Sequence, residues 1–117
     1  MADSVTAAST DRSFQDTWGS REFIEQWANK GGWQAPIRQA QTALVLHMIP
    51  HPSAAPIRVL DIGAGYGALA AAVLQDRPMA TAVCLDASAA MLALGREKNI
   101  DLKHRIGSIP SRAFSMP

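Results

Sequence analysis

Three glycines at alternate positions, set between a short apolar run and an apolar helical pattern, constrain this chain more than any other feature. The stretch reads Val59-Leu60-Asp61-Ile62-Gly63-Ala64-Gly65-Tyr66-Gly67. Residues 57–62 are mostly apolar and lie between Pro56 and Gly63. A run of that length suits a strand buried on both faces. Residues 68–75 follow, with Leu69, Ala70, Val73 and Leu74 turned inward on a helix that ends before Pro78. The chain must reverse between the two, through backbone angles that a Cβ opposes. A strand that turns straight into a helix aims the helix's unpaired N–H groups and positive dipole end at whatever lies over the turn.

The same alternation continues downstream. Residues 81–85 read as a second buried strand and 88–98 as a helix with Met91, Leu92 and Leu94 on its inner side. Residues 102–106 read as a third strand, and 107–117 as a loose tail with two prolines and no period. Upstream, residues 20–30 form a helical pattern with Ser20 as N-cap, Phe23, Ile24 and Trp27 on one face, and Gly31 and Gly32 as its stop. A second helix over 35–48 carries an apolar stripe of Ile37, Ala40, Leu44, Val45 and Met48. Three prolines make 50–56 a connector. Residues 1–15 read as a flexible leader and 16–117 as one domain. Strand, helix, strand, helix, strand is the order of an α/β fold with a parallel sheet.

Composition excludes several classes. A chain of 117 residues is one domain at most, and 48% hydrophobic residues support a core. Eleven basic and ten acidic residues leave a net charge of +1, which gives no electrostatic case for nucleic acid or an anionic membrane. Arg96, Lys98, Lys103, Arg105 and Arg112 make the C-terminal part slightly basic, as a solvated surface is. The N-terminus lacks the basic start and apolar block of a signal peptide. No stretch approaches the ~20 apolar residues of a membrane span. The single cysteine, Cys84, lies in an apolar run and reads as a buried thiol in a reducing, cytoplasmic setting. His47, His51 and His104 read as surface histidines, and no residue stands out as a catalytic base.

The chemistry lies in the turn and in Asp86, which ends the next strand nineteen residues after Gly67. In a strand-helix-strand unit this places the Asp86 carboxylate beside the turn, where an acid accepts hydrogen bonds from ribose hydroxyls. Together the two point to a nucleoside-containing cofactor. Gly63, Gly65 and Ala68 also satisfy the relaxed dinucleotide spacing, which keeps a nicotinamide or flavin open. Three features lean the other way. Gly67 extends the series beyond what a dinucleotide needs. Asp61 sets a negative charge beside the turn, poor for a pyrophosphate and good for a sulfonium or ammonium group. Two helices precede the first strand. Tyr66 reads equally as a cofactor contact or a packing residue, whereas Met91 reads first as a packing residue, as do Trp27 and Trp33, whose other reading is the lining of a substrate pocket under a cap.

The run from Val59 to Gly67 resembles motif I of the class I S-adenosylmethionine-dependent methyltransferases. Leu85-Asp86-Ala87-Ser88, followed by Met91-Leu92 and Arg96, is similar to that family's second motif. The resemblance covers residues 58–98, and 20–50 resemble the family's N-terminal cap helices. It implies a partial Rossmann-like methyltransferase fold: parallel strands, flanking helices and two cap helices. It also implies S-adenosyl-L-methionine as cofactor and a small molecule as methyl acceptor. The backbone of Gly63, Ala64, Gly65, Tyr66 and Gly67 would meet the methionine part. Asp61 would orient the turn or the amino group, Asp86 would hold the ribose, and Ala87, Ser88 and Met91 would lie near the adenosine. Ser108 stands where the family carries an acid. The family's later strands have no counterpart, so the chain is expected to be a truncated, cofactor-binding half domain. An open sheet edge after the third strand would suit self-association or a partner chain. A nicotinamide- or flavin-binding half domain, and a non-catalytic remnant or partner subunit, stand beside this reading; activity of the chain alone is left open.

Overall fold

The computed structural model describes residues 17–29 and 35–111. The leader, the Gly31–Gly32 stop, Trp33 and residues 112–117 lie outside them. Two helices come first, α1 (Arg21–Asn29) and α2 (Ala35–Met48). Then follow β1 (Arg58–Ile62), α3 (Ala68–Asp76), β2 (Thr81–Asp86), α4 (Ala89–Lys98), a single 3-10 turn (Ile100–Leu102) and β3 (Ile106–Pro110). The strands form one parallel sheet in the order β1-β2-β3. This is the α/β architecture that the alternating periods predict.

Local chemistry sets the element ends. At α1, the Phe23 N–H donates to Ser20 Oγ at 3.3 Å, the expected N-cap. At α4, Ser88 Oγ accepts from the Met91 N–H at 3.1 Å, and Arg96 and Lys98 occupy the last turn, where cations favour the dipole. Helix α3 stops at Arg77, which is extended as a residue before proline must be. The buried Arg77 side chain donates to the carbonyls of His51 (2.8 Å) and Pro52 (3.2 Å), and so ties down the proline connector.

The core lies between one sheet face and helices α3 and α4. Ala70, Leu74, Ala80, Ala82, Cys84 and Leu92 form it, with Ile57, Val59, Ala64, Leu102 and Ile106 at its margin. Full burial of a side chain such as Leu74 is worth about 1.5–3 kcal/mol. A second cluster joins Ile24 of α1 to Met91 and Leu94 of α4, with Trp18, Trp27 and Tyr66 packed against it. The inward positions expected of α4 are all buried.

Four expectations need correction. The strands are not buried on both faces. Val59, Ala82 and Ile106 share the covered face, whereas Leu60 (61% exposed), Ile62 (56%) and Ile109 (52%) stand on the other. Apolar runs in the sequence record both faces but not whether a second layer covers them. The stripe on α2 is likewise not buried, and Ile37, Leu44, Val45 and Met48 are all exposed. Leu69 is 37% exposed rather than inward, because it lines open cavities instead of packing in the core. Finally, β3 begins at Ile106 and not at residue 102, so residues 107–110, read as tail, belong to the sheet. Arg105 explains the shift: its guanidinium donates to the carbonyls of Ala80 (3.1 Å), Leu74 (2.9 Å) and Arg77 (2.7 Å), fixing where the strand starts. The exposure of His47, His51 and His104 agrees with the sequence reading. Among the described residues no helix is long and apolar enough to cross a membrane.

Candidate functional site

The glycine turn joins the end of β1 to the start of α3. Gly63, Gly65 and Gly67 all have positive φ, at 71°, 60° and 81°. At Gly65 and Gly67 this left-handed conformation is what lets the chain double back within three residues. Gly67 is also crowded, since a Cβ there would meet Cys84 Sγ at 3.5 Å and Asn99 Nδ2 at 3.6 Å.

Most of the turn's donors are spent on holding the turn itself. The N–H groups of Gly63 and Ala64 both donate to the Leu85 carbonyl, at 2.8 and 2.9 Å, and Gly67 donates to Ala64 at 3.0 Å. The Gly65 N–H donates to Asp86 Oδ2 at 2.8 Å, while Asp86 Oδ1 accepts from the Ser88 N–H at 2.8 Å. Asp86 therefore clips the turn to the end of β2. Its two oxygens retain lone pairs, since a carboxylate offers about four acceptor sites. Helix α3 has no side-chain cap, so its first-turn N–H groups remain available to a ligand.

A cavity of about 410 Å³ lies over this arrangement. It brings together Gly63, Ala64, Gly65, Tyr66, Asp86, Ser88 and Met91 of the expected site residues. Asp61, Gly67 and Ala87 are not in its wall. Gly67 is buried behind the turn, and Asp61 opens on a neighbouring cavity of about 360 Å³ along β1. The Asp61 carboxyl is pushed above the ordinary carboxylate range, by burial first and by the charge of Asp86 second. The Cys84 thiol is pushed up by burial and by Asp61, which makes it a poor nucleophile. Ser88 Oγ caps α4 and donates to the Trp18 carbonyl, so its hydroxyl is already engaged. Ser108 sits in mid-strand beside Cys84 and accepts from Arg96 at 3.0 Å, and it is absent from the cavity wall.

Trp18 and Arg38 of the wall carry no sequence signal, and Trp27, expected first in packing, both packs and lines the cavity. Trp18 and Trp27 line the cavity, and Trp27 packs edge-on to Trp18 (5.7 Å) and Tyr66 (6.0 Å). Arg38 of α2 also lines it, with its guanidinium 5.4 Å from the Trp27 ring centroid. Gly95 of α4 is required for close approach, because a Cβ there would lie 2.5 Å from the Tyr66 carbonyl oxygen. Asn99 Nδ2 donates to that same oxygen at 3.1 Å. The pairing of a mid-helix glycine with an asparagine four residues on was the available signal.

Residues 36–115 match the family model of the methyltransferase small domain. No curated protein matches the chain. Among solved structures, phosphoethanolamine N-methyltransferase 2 of Haemonchus contortus, in complex with S-adenosyl-L-methionine, superposes with a TM-score of 0.59 at 25% identity, over 83% of this chain and 23% of its own. A SAM-dependent methyltransferase from Geobacter sulfurreducens, with S-adenosyl-L-homocysteine, gives 0.54 at 20%, over 63% and 29%. CalO1, a methyltransferase in calicheamicin biosynthesis in its S-adenosylhomocysteine-bound form, gives 0.54 at 24%, over 87% and 28%. The chain thus spans less than a third of the length of each of these three.

Proposed function

The chain belongs to the methyltransferase small domain family, and we propose that it binds S-adenosyl-L-methionine in the cavity over the glycine turn and serves methyl transfer to a small-molecule acceptor. The observation that carries this reading is the Asp86 clip: one carboxylate fixes Gly65 and borders the same cavity. An acid held there faces a ribose while its geometry is set by the turn. S-adenosylmethionine, when bound, would supply a methyl group on a cationic sulfur, with the neutral thioether S-adenosylhomocysteine as leaving group.

The chain's own part is binding, orientation and exclusion of water. Asp86 holds the ribose hydroxyls. The turn backbone and the first N–H groups of α3 meet the methionine part. Met91, Ala87 and Ser88 stand on the adenosine side. Asp61, at the end of β1 beside the cavity, adds negative charge near the turn, which disfavours a pyrophosphate and favours a cation. Trp18, Trp27 and Tyr66 form an apolar wall that keeps water from the sulfur. The buried thiol of Cys84 suits a reducing cytoplasm, which we include in the proposal.

A second reading, a unit that completes its sheet with another chain, draws on a different observation. Both β1 and β3 have an unpaired edge in the described sheet, and Leu60, Ile62 and Ile109 leave an apolar face beside them.

Thermal unfolding with added ligand tests the first reading. S-adenosylmethionine at ~100 times its dissociation constant adds roughly 2.7 kcal/mol of stability. A shift with NAD and none with S-adenosylmethionine overturns it.

A further inference from the structure

The cavity over the turn lies beside a second one, of about 720 Å³, and Arg38, Tyr66 and Ala68 belong to both walls. Helices α1, α2 and α3 all contribute to the second wall, through Ala28, through Thr42 and Leu46, and through Ala72. Its volume falls within the range of about 300–1,000 Å³ in which small molecules are held. The field where the two cavities meet is positive. Arg38 is the charged residue of the second wall as described. The Lys98 ammonium stands 5.6 Å from the Tyr66 ring centroid. Helix α2 begins at Ala35 in the same wall, with no acid in its first turn, and its dipole adds to that sign. The Arg38 guanidinium is laid over Trp27, which narrows the conformations of a long side chain before any ligand arrives.

We propose that the second cavity holds the methyl acceptor, that this acceptor is a small, largely apolar carboxylic acid, and that Arg38 presents its carboxylate for methylation where the cavities meet. This rests on the reading that the first cavity takes S-adenosyl-L-methionine, with the methionine part over the first N–H groups of α3, the helix that Ala68 opens. Two observations select a carboxylate. The positive junction attracts an anion. The described titratable side chains of the two walls are Arg38, Tyr66 and Asp86, and Asp86 is engaged with two backbone N–H groups. An alcohol, a phenol or a protonated amine has to give up a proton before or during methylation, and so calls for a base. A carboxylate is already ionised at neutral pH and has no proton to lose. One of its oxygens accepts from the guanidinium while the other keeps lone pairs for attack. A lone pair of that oxygen forms the new O–CH3 bond as the C–S bond breaks and its electron pair goes to sulfur. The products are a methyl ester and the neutral thioether, with no proton exchanged. Leu46 and the alanines of the wall suit the apolar remainder of the acceptor.

NMR titration of the full chain, with and without S-adenosylhomocysteine, tests this through binding alone. The probes are phenylacetate and phenylacetamide, which match in shape and differ in charge. Phenylacetate is expected to shift the amide signals of Thr42 and Ala72 and to bind about tenfold more tightly than phenylacetamide. Arg38→Gln is expected to bring the two probes within about twofold of each other. Ala72 lines the second cavity and not the first. Ala72→Leu is therefore expected to weaken phenylacetate by about tenfold or more while S-adenosylhomocysteine stays within about twofold. Equal affinity of the two probes for the unaltered chain overturns the proposal. So does a preference for phenylacetate that survives Arg38→Gln, or phenylacetate binding that Ala72→Leu leaves intact. A chain that binds S-adenosylhomocysteine and not phenylacetate overturns the proposal alone. A chain that does not bind S-adenosylhomocysteine overturns the cofactor reading, and the proposal with it.

Discussion

Gly65 and Asp86 lie twenty-one residues apart in sequence and meet through one 2.8 Å hydrogen bond, from the Gly65 N–H to Asp86 Oδ2. That bond couples the shape of the turn to the residue proposed to hold the ribose. Asp86→Ala removes both at once. Titration with S-adenosylhomocysteine is expected to show affinity reduced by at least tenfold, and urea melts a loss of about 1–3 kcal/mol from the orphaned backbone donors. Binding that survives unchanged would disprove the ribose assignment.

Gly95→Ala should be costly for a reason remote from helix propensity. Alanine is normally the better helix former, yet here its Cβ meets the Tyr66 carbonyl at 2.5 Å. The turn or α4 has to move. The expected loss is about 1–3 kcal/mol in denaturant melts, together with weaker cofactor binding. A gain in stability would show that the contact relaxes at no cost.

Asp61→Asn is expected to act in opposite directions on stability and on binding. The Asp61 pKa is raised in the fold by burial, then by Asp86. A carboxyl with a raised folded pKa binds its proton more tightly when folded than when unfolded. Its charge therefore penalises the fold at neutral pH, and the penalty fades as pH falls through the raised value toward the ordinary one. Asp61→Asn should then raise the melting temperature at pH 7, and the gain should shrink in acid. Equal gains at both pH values would assign the effect to something other than titration. Affinity for the cationic cofactor should drop.

Arg105→Ala leaves the carbonyls of Leu74, Arg77 and Ala80 without their shared donor. Hydrogen exchange is expected to quicken first at Ile106–Pro110, with a global loss of about 1–3 kcal/mol. Uniform exchange across the sheet would show that the clamp does not set β3.

Replacing Leu60 and Ile109 together by lysine tests the pairing reading. Both stand on the open face. The variant should keep its stability to within about 1 kcal/mol, as surface changes do, while sedimentation shows less self-association. A monomeric wild type at all concentrations would remove self-pairing through this face.

What the sequence disclosed follows from how local each feature is. The turn, the Ser20 cap, the stop before Pro78 and the position of Asp86 depend on neighbours within a few residues, and all are where the sequence puts them. The start of β3 depends on three carbonyls about twenty-five to thirty-one residues away, which no local period records. The exposed faces of the sheet and of α2 were misread because an apolar pattern states what a side chain prefers and not what lies opposite. Arg38 lies off the apolar stripe of α2. Its place in the cavity wall appears only once α2 is folded beside Trp27.

The edge-to-face series Trp18, Trp27, Tyr66 has an optical consequence. All three rings border the cavity, so they form a built-in fluorescent reporter. Adenosine entering that space would change the polarity around two indoles. Emission colour and intensity would then follow occupancy directly, without any label.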